Sequence, residues 1–327
     1  MERPTWPISS KRAWTSASED EDLTMNDTAM GGRRFFRSCL FILLTLGILP
    51  GCASLIGKNY SSLASYYFGK NDFKKAAEYL EKALQKDPDN EASLTMAGWT
   101  YFKLDQYDKA LATFEKLAAE HPKAVEAYTG QGWGNFKKLN YDTAISFFQK
   151  ALKVNRHSAD AYAGLGWASF RKNDVTKAER YFENSLRKGM GYQSAGGVKT
   201  EPEAHRGLGY LNFAREDYPK AIRHFKTAVL FHPDWNDARM KLGDSLFALK
   251  KYDKAIPVYK RALHYAATPE VYDKIGWSYF YSVGEVKKGS VKNNKKFSKA
   301  RKMFNKAIAL DPNFANSLAG LAKLDAA

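Results

Sequence analysis

Apolar and polar positions fall into one pattern that returns along the chain from about residue 57 to its end. A glycine followed by an aromatic recurs at Gly98-Trp99, Gly132-Trp133, Gly166-Trp167, Gly209-Tyr210 and Gly276-Trp277, with Gly243-Asp244 in the same phase; the first three are 34 residues apart. Twelve residues after five of these glycines stands an alanine, at Ala110, Ala144, Ala178, Ala221 and Ala255, and Ala76 holds that phase in the first unit. Four positions further on comes a large apolar residue: Leu80, Phe114, Phe148, Phe182, Phe225, Tyr259 and, after Ala300, Phe304. The segments Lys70-Asn71-Asp72, Leu139-Asn140-Tyr141 and Arg215-Glu216-Asp217 read as breaks between two helices of one unit, and Pro88, Pro122, Pro233 and Pro312 close several units. The pattern predicts seven helix-turn-helix units over 57–90, 91–124, 125–158, 159–201, 202–235, 236–268 and 269–314, with a capping helix over 315–327.

Each recurring position has a steric reason. Glycine and alanine suit the place where two antiparallel helices cross, because a larger side chain would push the backbones apart. The large aromatic fills the space between one pair and the next helix. A Gly in one helix, an Ala and an aromatic in the next and a terminal Pro resemble the tetratricopeptide repeat. The resemblance implies an all-α fold, one elongated superhelical solenoid with a concave and a convex face. Two irregularities interrupt it. Ala178 to Ala221 is 43 residues, the surplus being the glycine-rich stretch 189–197, and Gly276 to Ala300 is 24 where 12 is usual, the surplus including Gly284 through Lys295.

The stretch ahead of the repeats has a different character. Residues 1–29 are polar, carry the acidic run Glu19-Asp20-Glu21-Asp22 and show no apolar period, so they read as a leader or a mis-assigned start, with Met25 or Met30 the alternative initiators. Residues 30–51 are basic at Arg33, Arg34 and Arg37, then apolar from Cys39 through Leu49. That run is about a dozen residues, against roughly 20 for a spanning helix. It therefore reads as an export signal rather than a span. Its end, Leu49-Pro50-Gly51-Cys52, resembles the lipobox of bacterial lipoproteins, from which Pro50 departs by not being small. The resemblance implies an acylated Cys52, a short tether over 52–56 and, with Ala53 rather than Asp next, the periplasmic face of the outer membrane.

Composition narrows the function. Two cysteines among 327 residues exclude a disulfide scaffold, a four-thiolate zinc site and an iron–sulfur cluster. The net charge of +16 belongs wholly to residues 52–327, since residues 1–51 hold six basic and six acidic side chains. Part of it is concentrated at Lys287, Lys288, Lys292, Lys295, Lys296, Lys299, Arg301 and Lys302, where Glu285 is the one acid nearby in sequence. This is either a solvated loop and helix face or a patch for an anionic envelope polymer; nucleic acid is not an expected partner of an exported protein. Gly197-Val198-Lys199-Thr200 splits the Gly–Lys pair that a phosphate loop needs. The six histidines form no metal spacing, and no nucleophile or carboxylate dyad stands out. No enzyme activity, cofactor or metal is expected.

One further pattern lies on the first helix of each unit. Three residues after the aromatic slot comes phenylalanine, giving the series Trp99, Phe102, Trp133, Phe136, Trp167, Phe170, Tyr210, Phe213, Phe247, Trp277 and Phe280, with Phe68 in phase. Positions three apart share a helical face. In the family these slots face the concave groove. Were about 100 Å² of each ring left to water, the forgone burial would be ~2.5 kcal/mol apiece, which favours a groove that binds something. Two readings follow: a lipid-anchored scaffold that binds a protein or peptide partner and helps assemble an envelope machine, as outer-membrane repeat lipoproteins of type IV pilus or polysaccharide export assembly do, or a receptor whose aromatic and basic groove binds an envelope polysaccharide or peptidoglycan.

Overall fold

A computed structural model describes residues 50–189, 201–284 and 294–326, with side chains in the first helix described from Tyr60 onward. Among these residues every regular element is a helix. In chain order they are α1 (Pro50–Gly69), α2 (Phe73–Lys86), α3 (Glu91–Lys103), α4 (Tyr107–Glu120), α5 (Val125–Lys137), α6 (Tyr141–Val154), α7 (Ala159–Arg171), α8 (Val175–Lys188), α9 (Pro202–Ala214), α10 (Tyr218–Phe231), α11 (Asn236–Ala248), α12 (Tyr252–Ala262), α13 (Pro269–Tyr281), α14 (Lys295–Leu310) and α15 (Ala315–Ala326). Helix α1 begins at Pro50, so the backbone of residues 52–56, set apart above as a tether, is helical. None of the described helices is long and apolar enough to cross a membrane.

The chain divides into two compact units between Asn140 and Tyr141. The boundary falls inside the repeat predicted over 125–158, between its two helices. Helices of the same repeat pattern lie on both sides of it, so the boundary is not a change of fold. In the amino-terminal unit α1 packs on α2, α2 on α3, α3 on α4 and α4 on α5; in the carboxy-terminal unit each helix from α6 to α15 likewise packs on its chain neighbours, and successive first helices α7, α9 and α11 also touch.

Packing within a pair turns on the aromatic of the second helix. Phe114 is fully buried, and a Cβ built on Gly98 or on Gly130 would sit 2.5 Å from its ring. Phe182 is clasped in the same way by Gly166 at 2.6 Å and Gly207 at 2.2 Å, and Phe304 by Gly276 at 2.5 Å and Gly320 at 2.6 Å. One ring therefore lies flat against the glycine of its own pair and the glycine of the next first helix. That contact sets both helix separations, and any side chain at those glycines would lengthen them.

Turns inside the pairs share a backbone device. Asn71, Asp105, Leu139, Asn173, Glu216 and Lys250 all have φ between 57° and 66°, the left-handed region, at the same register of successive pairs. Asn and Asp tolerate this conformation; Leu139 does so only at a steric cost and is 56% exposed besides. The following residue often caps the second helix: Asp72 accepts from the Lys75 amide, Asp174 from Lys177 and Asp217 from Lys220.

Candidate functional site

The aromatic series on the first helices is chiefly packing. Trp99, Trp133 and Trp167 are only 7%, 4% and 8% exposed, Phe102 and Phe280 are buried, and Phe136, Phe170, Tyr210, Phe213, Phe247 and Trp277 are partly buried. No ring of the series lies open to water in the way that would cost ~2.5 kcal/mol. The cause is geometric. Each tryptophan meets the phenylalanine three residues on edge-to-face, at 5.6 Å for Trp99 and Phe102, 5.6 Å for Trp133 and Phe136, and 5.8 Å for Trp167 and Phe170. It also meets the clasped aromatic of its own pair: Trp99 lies 4.6 Å from Phe114, Trp167 5.4 Å from Phe182 and Trp277 5.3 Å from Phe304.

The basic cluster is partly neutralised by acids that the fold brings in. Lys287, Lys288 and Lys292 lie outside the described residues. On α14, Lys296 reaches Asp253 at 2.9 Å and the Ser282 carbonyl at 3.1 Å, Arg301 pairs with Asp325, and Lys299 stands over the Tyr279 ring at 5.6 Å. Lys295 and Lys302 are exposed, and Lys302 and Arg301 line a shallow depression with Ser298, Asn305 and Lys306. Cys52 lies in α1, its side chain outside the described set. Among the described residues no three His, Cys, Asp or Glu side chains gather as metal ligands.

Sequence reasoning overlooked the most polar interior site, in the carboxy-terminal unit where α7, α9 and α11 run side by side. Arg206 is buried, with its guanidinium carbon 4.8 Å from the Trp167 ring centroid and 4.5 Å from that of Trp235. It pairs with Glu203 at 3.0 Å and Asp237 at 3.3 Å. The Trp167 indole N–H donates to Glu203 at 2.9 Å, and the Tyr210 hydroxyl donates to Asp237 at 3.1 Å. All of this load falls on one oxygen of each carboxylate. Glu203 Oε1, Arg206 Nε and Trp235 Nε1 are buried and find no hydrogen-bond partner among the described residues. Burial raises the Glu203 carboxyl above its ordinary range, against the pull of Arg206. Arg206 keeps its proton: desolvation opposes the charge, but Glu203 and Asp237 outweigh it. A sequence signal was available: the register that holds Arg206 carries Thr95, Thr129, Ala163, Met240 and Asp273 in other repeats.

A second departure from the repeat is explained beside it. Gly243-Asp244 breaks the Gly–aromatic pattern, and Tyr259 stands where the other clasped residues are mostly Phe. The Tyr259 hydroxyl donates to Asp244 at 2.8 Å, and Lys274 reaches the same carboxylate at 2.7 Å. The two exceptions are one hydrogen-bonded unit.

Family profiles described as tetratricopeptide repeat match residues 67–131, 130–192, 206–271 and 292–314. The chain belongs to the tetratricopeptide repeat family. Among solved structures of such repeat proteins, the Cut9–Hcn1 hetero-tetramer of the APC/C matches with a TM-score of 0.59 and 20% identity over 89% of this chain. This chain spans about half, 52%, of that one. Pseudomonas aeruginosa PilF matches with a TM-score of 0.51 and 15% identity, over 66% of this chain and 94% of PilF. YrrB, described as a tetratricopeptide repeat protein with an unusual peptide-binding site, matches at 0.49 and 21% identity over 64% of this chain and 97% of its own. At these identities the likeness is one of fold. No curated protein sequence matches the chain.

Proposed function

We propose that this tetratricopeptide repeat protein is a lipid-anchored scaffold that holds a protein or peptide partner on the first-helix face of its carboxy-terminal unit. It would be fixed through Cys52 to the periplasmic face of the outer membrane and help assemble an envelope machine. The observation that carries partner binding is the Arg206 cluster. A buried carboxylate oxygen and guanidinium N–H on α9 and the indole N–H of Trp235, just before α11, have no partner among the described residues: one acceptor and two donors inside a closed polar site. A peptide group, with one N–H and one C=O, would complement that set once the site opens to admit it. The apolar run ending in Leu49-Pro50-Gly51-Cys52 supports anchoring. The protein reading is preferred to the polysaccharide one because Trp99, Trp133 and Trp167 are buried against neighbouring rings and do not offer open faces for a sugar to stack on.

Two readouts test this. Labelled fatty acid should enter the wild-type protein and not a Cys52→Ser variant. A discrete protein should co-isolate with the wild type from solubilised membranes and be lost with Tyr210→Ala, which strips the Asp237 partner at the edge of the cluster. Equal recovery with both forms would remove the groove from the account.

A further inference from the structure

The first helix pair carries a second surface. Tyr60 and Tyr67 are seven residues apart on α1 and so share a face. On α2, Lys75, Tyr79, Lys82 and Lys86 fall at spacings of four, seven and eleven, within one narrow stripe. The two faces meet in a column of rings. Tyr79 is stacked on Tyr67 at 5.4 Å and 5°, and on Tyr60 at 6.4 Å and 28°, while Tyr66 meets Tyr67 edgewise at 5.4 Å. Lysines stand over the rings: Lys75 at 5.1 Å from Tyr67, Lys82 at 5.3 Å from Tyr79 and Lys70 at 5.7 Å from Tyr66. Tyr66 is 59% exposed, and Lys70, Lys75, Lys82 and Lys86 are exposed. Of the nearby acids, Asp72 lies 3.6 Å from Lys75 and caps α2, Glu81 accepts from Tyr101 at 2.9 Å, and Glu78 is exposed on α2 three residues after Lys75 and four before Lys82, where it offsets one of the lysine charges.

We infer that this tyrosine–lysine face docks on the surface of an anionic phospholipid bilayer. Tyrosine combines an apolar ring with a polar tip and is favoured at the headgroup level, where lysines lay their stems along the rings and give their charge to lipid phosphates. Cys52 is on the same helix, about two turns before Tyr60. The inference rests on the proposed anchoring for its setting: the acyl chains and the face would engage one membrane, and the face would fix how the first helix pair lies on it. Acyl chains alone hold a protein to a bilayer without orienting it.

The test removes the anchor so that the two readings fail separately. The full chain carrying Cys52→Ser is mixed with vesicles of phosphatidylcholine, with or without roughly a third of phosphatidylglycerol, and compared with the same chain also carrying Lys75→Gln, Lys82→Gln and Lys86→Gln. Each lysine near an anionic surface contributes about fivefold, so the triple change should weaken binding to anionic vesicles on the order of a hundredfold and leave binding to neutral vesicles unchanged. Raised salt should weaken the first and spare the second. Equal binding of both forms to anionic vesicles would overturn the inference. So would lysine-dependent binding to a soluble polyuronate with none to vesicles, which would assign the face to an anionic glycan. Fatty-acid labelling of the wild type reports on the anchor independently of either result.

Discussion

Gly207 is the tightest of the clasping glycines, and replacing it by alanine tests the packing account directly. The new methyl would lie 2.2 to 2.5 Å from three atoms of the Phe182 ring, and Phe182 has nowhere to yield because Gly166 closes on its other side. Overpacking of this kind costs ~1–3 kcal/mol, while exchanging glycine for alanine within a helix returns ~1 kcal/mol. With three contacts this short the upper part of the first range applies, so the net loss should be about 1–2 kcal/mol. Gly69, at the end of α1, meets nothing within 4 Å, and Gly69→Ala should be neutral or slightly stabilising. Urea unfolding followed by circular dichroism, together with hydrogen exchange of amides in α8 and α9, reads the effect. Trimming the ring with Phe182→Leu should relieve the clash, making the double variant less destabilised than the sum of the singles by about 1 kcal/mol. If Gly207→Ala behaves like Gly69→Ala, or if the cycle shows no coupling, the flat contact between ring and glycine does not set the helix separation.

Other outcomes follow from the same structure. Leu139→Asn should stabilise the turn after α5 by about 1 kcal/mol in thermal unfolding, since asparagine bears φ of 66° at less cost and an exposed leucine is removed. Tyr259→Phe should cost ~1–2 kcal/mol by leaving Asp244 short of a donor, with Lys274→Met partly additive to it in a double-mutant cycle. Burial and the nearby Asp160 push the Glu201 carboxyl up to about 8. The folded chain therefore holds a proton that the unfolded chain has released, stability falls as pH rises from about 4.5 to about 8, and Glu201→Gln should flatten that slope in urea titrations. His224, held down to about 4 by burial and by His205 3.0 Å away, acts in the opposite sense. Stability is lost as pH falls from about 6.5 toward 4, and His224→Asn should remove that loss.

What the sequence makes legible, and what it hides, has a physical logic. Gly98, Ala110 and Phe114 can be read together because their contact is enforced within one repeat, by steric fit between residues of fixed spacing. The breaks at Asn71 and Glu216 are visible as polar interruptions, whereas Leu139 gives no hint that its backbone is left-handed. Trp99 and Trp167 fall on the face of the first helix as their spacing demands, but periodicity cannot tell whether a ring on that face looks outward or lies against Phe102, Phe114 or Phe182. The basic cluster looks unopposed in sequence because Asp253 and Asp325 arrive from other helices. The Arg206 site is the hardest to see, since its members come from three first helices and a loop residue, Trp235, and each alone passes for an ordinary helix-surface charge or a core ring.

The central claim, that the first-helix face of the carboxy-terminal unit holds a protein partner, is tested most directly by site-specific photo-crosslinking in intact cells. A photoreactive phenylalanine derivative is placed at Tyr210, beside the Arg206 cluster, or at the exposed Lys226 on the second helix of the same pair. The account predicts one discrete crosslinked protein from Tyr210, absent from Lys226. The same crosslinks from both positions, or none from Tyr210 while the protein sits in the membrane fraction, would contradict it.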